Sequence, residues 1–269
     1  MNPQNHDIPR LGAAWATSRQ AEIAEIVRVD GMAKVDELAT RFAVTPQTSR
    51  KDINEMCARG LLRRVHGGVE LAQANAAHYQ LRRILNLEPK RAIGRAVAGL
   101  IPDRATLAVS IGTTPELAVA GLGRHRDLRV FTNNLHLALA VQGFDAVSVT
   151  IPGGTLRPSE ADIVGPSAVD FFSRYRYDFG IFGVAAVDDR GELLDLNEED
   201  ALTRQAIAAN ADTRLLVLDI SKFGRKAHVR SGHIAGVDHV ICDSRPPEPI
   251  RGMLQEAGVA LTICDEAAA

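Results

Sequence analysis

A Gly-Thr-Thr cluster in this 269-residue chain has the makings of an anion site. Gly112, Thr113 and Thr114 follow the apolar run TLAVSI and lead straight into Pro115, Glu116 and a helical stretch. Glycine lets a backbone approach an anion closely. The two hydroxyls donate, and a helix N-terminus offers free N–H groups in a favourable dipole. An ordinary strand-to-helix turn with Thr caps has the same residues, so the cluster has to be weighed with three other loops. These are Thr132-Asn133-Asn134, then Pro152-Gly153-Gly154-Thr155 with Arg157 beyond it, and finally Asp219 to Lys226, which carries Lys222. Arg157 can pair with an anion bidentately, and Lys222 is a point charge able to meet the anion of the Gly-Thr-Thr turn. Four such loops at one sheet edge point to a small phosphorylated metabolite rather than to structural turns alone.

A second group, from Thr45 to Gly68, has a different chemistry. Thr45 can cap free backbone N–H groups, and Pro46 suits the first helical position because its missing N–H was unpaired anyway. Gln47, Thr48, Ser49, Arg50 and Lys51 then fill the first turns with groups able to read base edges or grip phosphate. Ile53, Met56 and Cys57 fall at helical spacing on the opposite side, toward a core. Gly60 ends the helix, LLRRV brings Arg63 and Arg64 on a short strand, and His66-Gly67-Gly68 form a tight turn. A polar helix tip followed by a basic hairpin fits a winged helix-turn-helix, with the helix in the major groove of double-stranded DNA and the wing beside the backbone. His66 contacts phosphate or packs beside the glycines; with no second ligand near it, a metal role has no support. The plainer alternative is a helix and hairpin with solvated charges.

The elements that must position these groups divide into two domains. Residues 1–17 read as a flexible tail, with Trp15 free to pack back on the first domain. Residues 18–72 read as the winged helix-turn-helix. Thr17 and Gln20 have capping-box spacing, Ile23, Ile26 and Val27 form a stripe ending at Asp30-Gly31, and Val35, Leu38, Ala39 and Phe42 form another. Residues 73–90 read as a linker: a partly helical segment whose Arg82 and Arg83 reach DNA, or, the reading preferred on composition, a solvated connector. From 91 to 269, apolar β-rich runs alternate with helical ones, which is the pattern of an α/β domain with a mostly parallel sheet whose ligands bind at the carboxyl ends of the strands.

Composition bounds the function. The net charge is −2, so affinity for nucleic acid has to come from a local excess. Arg50, Lys51, Arg59, Arg63 and Arg64 against Asp52 and Glu55 supply a modest one, suited to specific binding aided by dimerisation. Cys57, Cys242 and Cys264 are scattered without ligand spacing, which argues for a reducing compartment and against disulfides or zinc. The N-terminus lacks the apolar stretch of a signal peptide, and no run reaches transmembrane length. A cytoplasmic protein without a membrane partner, metal or cofactor is expected.

TPQTSRKDINEMCARGLLRRVHGG resembles the signature of the DeoR family of bacterial transcriptional regulators, and IGTTPE, FTNN, PGG, DFGIFG and SKFGR resemble its effector domain. The resemblance runs from about residue 18 to the end. It implies an effector domain sharing its fold with ribose-5-phosphate isomerase and the CoA transferases. It also implies a repressor released from its operator by glycerol 3-phosphate or a related sugar or polyol phosphate, and self-association as a dimer or tetramer. Carried onto this sequence, the effector site comprises Ser110, Gly112, Thr113, Thr114, Asn133, Gly153, Gly154, Arg157, Asp200 and Lys222. Some positions depart from the family pattern. Ser49 replaces an Ile, and Lys51 replaces an Arg and cannot make the bidentate guanine contact. Lys34 stands at a usual Ser/Thr cap, Ser110 at a usual Asp, and Asp200 at a usual Glu, with Leu202 where an Arg is expected soon after. These changes predict a shifted operator preference and bear on which phosphorylated compound binds.

Two other functions fit parts of the sequence. The fold relatives isomerise sugar phosphates, and Asp195, Glu199 and Asp200 are candidate bases for such chemistry. A fused DNA-binding unit favours sensing over turnover, so no catalytic residue is assigned. Whether such a regulator represses or activates depends on operator position.

Overall fold

The computed structural model describes residues 17–72, 75–144 and 146–264, so the N-terminal segment through Ala16, with Trp15, lies outside the described residues. Helix α1 (Ser18–Asp30) begins at Thr17, whose hydroxyl accepts from the Gln20 N–H at 3.2 Å, and ends at Gly31 with φ 78°. The other half of the expected capping box is absent. The Gln20 amide instead donates across to Glu55 at 2.8 Å, tying α1 to the third helix. Helix α2 (Val35–Arg41) starts at Lys34 without a side-chain cap, and α3 (Pro46–Ala58) starts at Thr45, whose hydroxyl accepts from the Thr48 N–H. Strands β1 (Leu62–Val65) and β2 (Gly68–Leu71) pair antiparallel as the wing. Gly67 takes φ 91° in its turn, and a Cβ on Gly68 would come 2.5 Å from the Ala33 carbonyl, where Ala33 bridges Val69. Ile23, Val27, Leu38, Ile53, Met56 and Val69 close the core.

Helix α4 (Asn75–Ile84) occupies the stretch read as a linker, and α5 (Leu87–Leu100) follows after Asn86 in the left-handed region. The solvated connector does not survive. Tyr79 and Ile84 are each 1 % exposed, because both neighbouring domains pack on this helix. The arginines Arg82 and Arg83 pair with Glu160 and Glu116 of the second domain rather than projecting from the DNA-binding one.

The second domain alternates as the sequence predicts. Its first half runs β3 (Thr106–Val109), α6 (Thr113–Ala120), β4 (Leu128–Thr132), α7 (Leu135–Ala140), β5 (Val147–Thr150), β6 (Thr155–Arg157), β7 (Asp162–Val164) and α8 (Pro166–Ser173). Then come β8 (Tyr177–Phe182), β9 (Ala186–Val187), β10 (Glu192–Asp195), α9 (Glu198–Asn210), β11 (Ala211–Leu218), β12 (Val229–His233), β13 (His239–Cys242), α10 (Glu248–Glu256) and β14 (Ala260–Ile263). Seven of these strands form one sheet, ordered β14-β13-β11-β8-β3-β4-β5, and every pairing in it is parallel. Alternate residues feed opposite faces. Leu107, Val109, Leu215 and Val217 pack under α5, α6 and α7, and Ala108, Leu216 and Leu218 pack under α8, α9 and α10. That two-sided burial is why these strands read as continuous apolar runs.

Two antiparallel pieces are not in the sequence reading. DFGIFGVAAV is one run in sequence, but the chain leaves the sheet after Phe182, and β9 joins a separate sheet ordered β12-β10-β9. The β6–β7 hairpin forms the other. Both flank the carboxyl ends of the parallel strands. Among the described residues no helix is long and apolar enough to cross a membrane.

Candidate anion pocket and nucleic-acid interface

The sheet sets where the pocket forms. β3 ends at Val109, and the chain turns through Ser110 and Ile111 into α6, whose N-terminal flank is Gly112 at φ 139°. A Cβ there would come 3.0 Å from Pro115 Cδ, so the turn is shaped for glycine. Nothing from a side chain caps α6, and the first N–H groups, on Thr113 and Thr114, have no intrahelical acceptor. After β11, Asp219 accepts from the Ser221 N–H at 3.1 Å and fixes the short turn Ile220–Lys222. Gly112, Thr113, Thr114 and Lys222 line the same cavity, of about 70 Å³. That is several times the roughly 10–15 Å³ a single water needs.

Three cations line this cavity, Arg82, Arg204 and Lys222, with three carboxylates, Glu160, Asp195 and Asp200. Arg82 pairs with Glu160. Arg204 is 4 % exposed, and its guanidinium donates to Asp195 Oδ1 at 2.9 Å and to Ser231 Oγ at 2.9 Å. Burial lowers Arg204 to about 9, which leaves it charged at neutral pH. Burial likewise lowers Lys222 to about 8, offset by the adjacent Asp219, whose own carboxyl is held low by Lys222 and Ser221 against the cost of its burial. Arg82 and Arg204 are each paired with a lining carboxylate, so what favours an anion here is the N-terminus of α6 with Lys222 on the same cavity.

The remaining residues expected at this site fall elsewhere, with Asp200 as the exception. Asp200 lines the cavity while accepting from Arg157 at 2.7 Å. Arg157 also donates to Asp162 at 3.0 and 2.7 Å, so two carboxylates occupy the guanidinium that the sequence reading left to an anion. Ser110 is buried with its hydroxyl donating to the Ile111 carbonyl, and Asn133 donates to the Ile163 carbonyl at 3.0 Å. Gly153 and Gly154 are exposed, and Gly154 takes φ 148° where a Cβ would strike Ser167. None of Ser110, Asn133, Gly153, Gly154 or Arg157 is among the lining residues.

Two cations were missed. Arg82 was assigned to a linker, because nothing in its local pattern shows that α4 docks on the pocket. Arg204 could have been found, since it lies one turn beyond Asp200 on the same face of α9. Position 202, where the family resemblance implies an arginine, holds a Leu that is 44 % exposed, on the other side of the helix. Of the candidate bases, Asp195 is held by buried Arg204.

On the first domain, Thr45, Gln47, Arg50 and Lys51 lie exposed along the start of α3, with Thr48 half-buried beside them. Thr45 and Thr48 hydroxyls lie 2.9 Å apart. Ser49 departs from the group. It is 1 % exposed on the inner side of the helix, and its Oγ has no hydrogen-bond partner among the described residues. On the wing, Arg63, Arg64 and His66 are exposed, with Arg63 paired to Glu70 and Arg64 donating to Asn54 at 2.5 Å. Arg19 of α1 and Asp52 of α3 are paired at 2.6 Å.

A winged helix-turn-helix coupled to an α/β domain with a polar pocket at the carboxyl ends of its parallel strands defines a ligand-responsive, DNA-binding transcriptional regulator. Residues 19–75 match the DeoR-like helix-turn-helix domain and residues 85–244 the DeoR C terminal sensor domain, and the chain belongs to the DeoR family. It is 37 % identical over 249 residues to the glycerol-3-phosphate regulon repressor of Escherichia coli K12, covering 92 % of this chain and 99 % of that one. It is 35 % identical to the protein of that name from Haemophilus influenzae, covering 92 % and 96 %. Among solved structures, ribose 5-phosphate isomerase from Plasmodium falciparum is similar over 52 % of this chain and 53 % of that one, at 12 % identity and a TM-score of 0.37.

Proposed function

We propose that this protein is a cytoplasmic repressor that holds operator DNA as a dimer or tetramer and lets go when a small phosphorylated polyol or sugar enters the pocket. Glycerol 3-phosphate is the first compound to try, from the names of the repressors to which the chain is similar. The observation that carries this reading is the convergence of Gly112, Thr113, Thr114 and Lys222 on one cavity. A phosphate there meets free N–H groups, hydroxyls and an ammonium, while Asp200 faces the same space and can accept from sugar or polyol hydroxyls. Gln47, Arg50 and Lys51 read the major groove, and Arg64 and His66 lie along the backbone beside it. Effector binding favours an arrangement in which the paired recognition helices no longer match successive grooves.

The reading is one of sensing without turnover. Asp195 is paired with Arg204 and Asp200 with Arg157, and Glu199 is exposed outside the cavity, so none of the three candidate carboxylates stands unpaired against the pocket. A mobility-shift assay on the DNA upstream of the protein's own gene, run against a panel of phosphorylated polyols and sugars, tests the proposal. A shifted band that one phosphate ester dissolves, and its unphosphorylated parent does not, is the expected result. A band indifferent to every ester refutes the inducer role.

A further inference from the structure

The stretch YQLRRILNLEPK puts two kinds of side chain on one short helix. Leu81 and Ile84 of α4 are part of the winged-helix core, packed with Ile23 and Val27. The residues beside them face the other way. Tyr79 is 1 % exposed, and its hydroxyl donates to Glu116 Oε2 at 3.1 Å and accepts from Asn134 at 2.9 Å. Arg83 donates to Glu116 Oε1 at 2.8 Å. Lys90, 3 % exposed, donates to the carbonyls of Arg82 and Leu85 and so ties the end of α4 to α5. One helix therefore belongs to the winged-helix core and is bonded to the second domain through buried polar groups. Arg82 leaves it toward the sensor domain, stacks its guanidinium 5.3 Å from the Tyr79 ring centre, and lines the same cavity as Thr113, Thr114 and Lys222. There it pairs with Glu160, which also lines the cavity.

Resting on the phosphate-ester reading of the pocket, we propose that Arg82 is an effector ligand supplied by the helix between the domains. An incoming phosphate takes its guanidinium from Glu160 and thereby moves α4 against the winged-helix core. A phosphate dianion offers an arginine more charge and more acceptor oxygens than a carboxylate does. The exchange gives the two states different contacts, which any ligand-driven shift requires. A helix moves as a rigid piece, so a shift at Arg82 reaches Leu81 and Ile84, one residue before it and two after, inside the DNA-binding domain. Glu160, once released, is free to accept from a hydroxyl of the ligand.

The test uses the full chain, with titration calorimetry against glycerol 3-phosphate, ribose 5-phosphate and inorganic phosphate, and release of the upstream DNA followed in parallel. Arg82→Ala should bind the best of these probes at least tenfold more weakly, and its DNA complex should persist at probe concentrations that saturate it. Lys222→Ala should also bind more weakly but still release DNA once saturated. Glu160→Gln, which removes the carboxylate that competes for Arg82 and keeps Arg82 itself, should bind the probe several-fold more tightly than the wild type, and it keeps the test informative if Arg82→Ala unfolds. Wild-type affinity in Arg82→Ala alongside a weakened Lys222→Ala overturns the role of Arg82 and leaves the pocket reading standing. Normal release by saturated Arg82→Ala overturns the coupling. Failure of the wild type to bind any of the three probes removes the pocket reading and this inference together.

Discussion

Ser49 shows how one residue can belong to a motif by sequence and to the core by structure. In sequence it stands among the exposed polar residues at the start of α3, yet its hydroxyl is buried and has no partner among the described residues. Leaving a buried hydroxyl unsatisfied costs about 1–3 kcal/mol, and alanine also favours a helix more than serine does. Ser49→Ala should therefore raise stability by about 1 kcal/mol in chemical denaturation and leave operator affinity within twofold. A matching loss of DNA binding would return Ser49 to the groove-reading set. Glu116 makes a second case. Burial raises its carboxyl to about 7, against the pull of Arg83 and Tyr79. The folded pKa lies above the unfolded value, so the stability Glu116 contributes is full below about 4.5 and is lost as pH rises through 7. Lys90, lowered to about 7 by burial, works in the opposite sense, losing stability as pH falls from about 10.5 toward 7. Glu116→Gln removes only the acidic limb. Its melting temperature should exceed the wild-type value by more at pH 7.5 than at pH 5, and an equal difference at both would place the titration elsewhere.

At the scale of elements, α3 depends on its first residue. Thr45 is exposed and also satisfies the Thr48 N–H at 3.2 Å. Thr45→Ala should cost about 1 kcal/mol by loss of the cap. It should also weaken operator binding, because the helix end frays where Gln47 and Arg50 must be held, and both effects can be read by denaturation and mobility shift. Most elements were legible because each carried a strong local period. The stripes of α1 to α3, the Thr45-Pro46 start, the His66-Gly67-Gly68 turn and the two-sided apolar runs of the parallel strands all specify themselves within about ten residues. What escaped lacks that property. β6 and β7 are only Thr155–Arg157 and Asp162–Val164, too short for alternation to register, and β9 is two residues inside a longer apolar run. Helix α4 was legible as part-helical but not as buried, since its two faces pack on different domains and neither partner is near in sequence. Arg157 and Arg82 follow from this. The partners that decide what each guanidinium can bind sit on the unread hairpin, at Asp162, and on the loop joining its strands, at Glu160.

For the whole molecule, a net charge of −2 rules out affinity by bulk attraction, so the DNA binding proposed here has to come from a few residues of α3 and the wing. Three of those are already engaged, Lys51 with Glu55 at 4.0 Å, Arg63 with Glu70 and Arg64 with Asn54 at 2.5 Å. On the proposed docking, Arg50, exposed at the second turn of α3, is expected to carry a large share of groove recognition. A bidentate arginine–base contact is worth about 1–3 kcal/mol, and the proposed dimer on a two-fold operator would count it twice. Arg50→Ala should thus weaken operator binding by about two orders of magnitude or more. Arg64→Ala, on the wing, should instead weaken binding to all sequences and flatten the salt dependence by about 0.9 in slope for each phosphate left without its cation. The pocket lies in the other domain, and neither arginine lines it, so calorimetric affinity for a phosphate ester in the absence of DNA should stay within twofold of wild type in both variants. The two activities are separable on this account because what joins them is the packing of α4, not a shared binding residue. Loss of ester binding in a folded Arg50→Ala protein would mean that the recognition helix itself helps to hold the pocket.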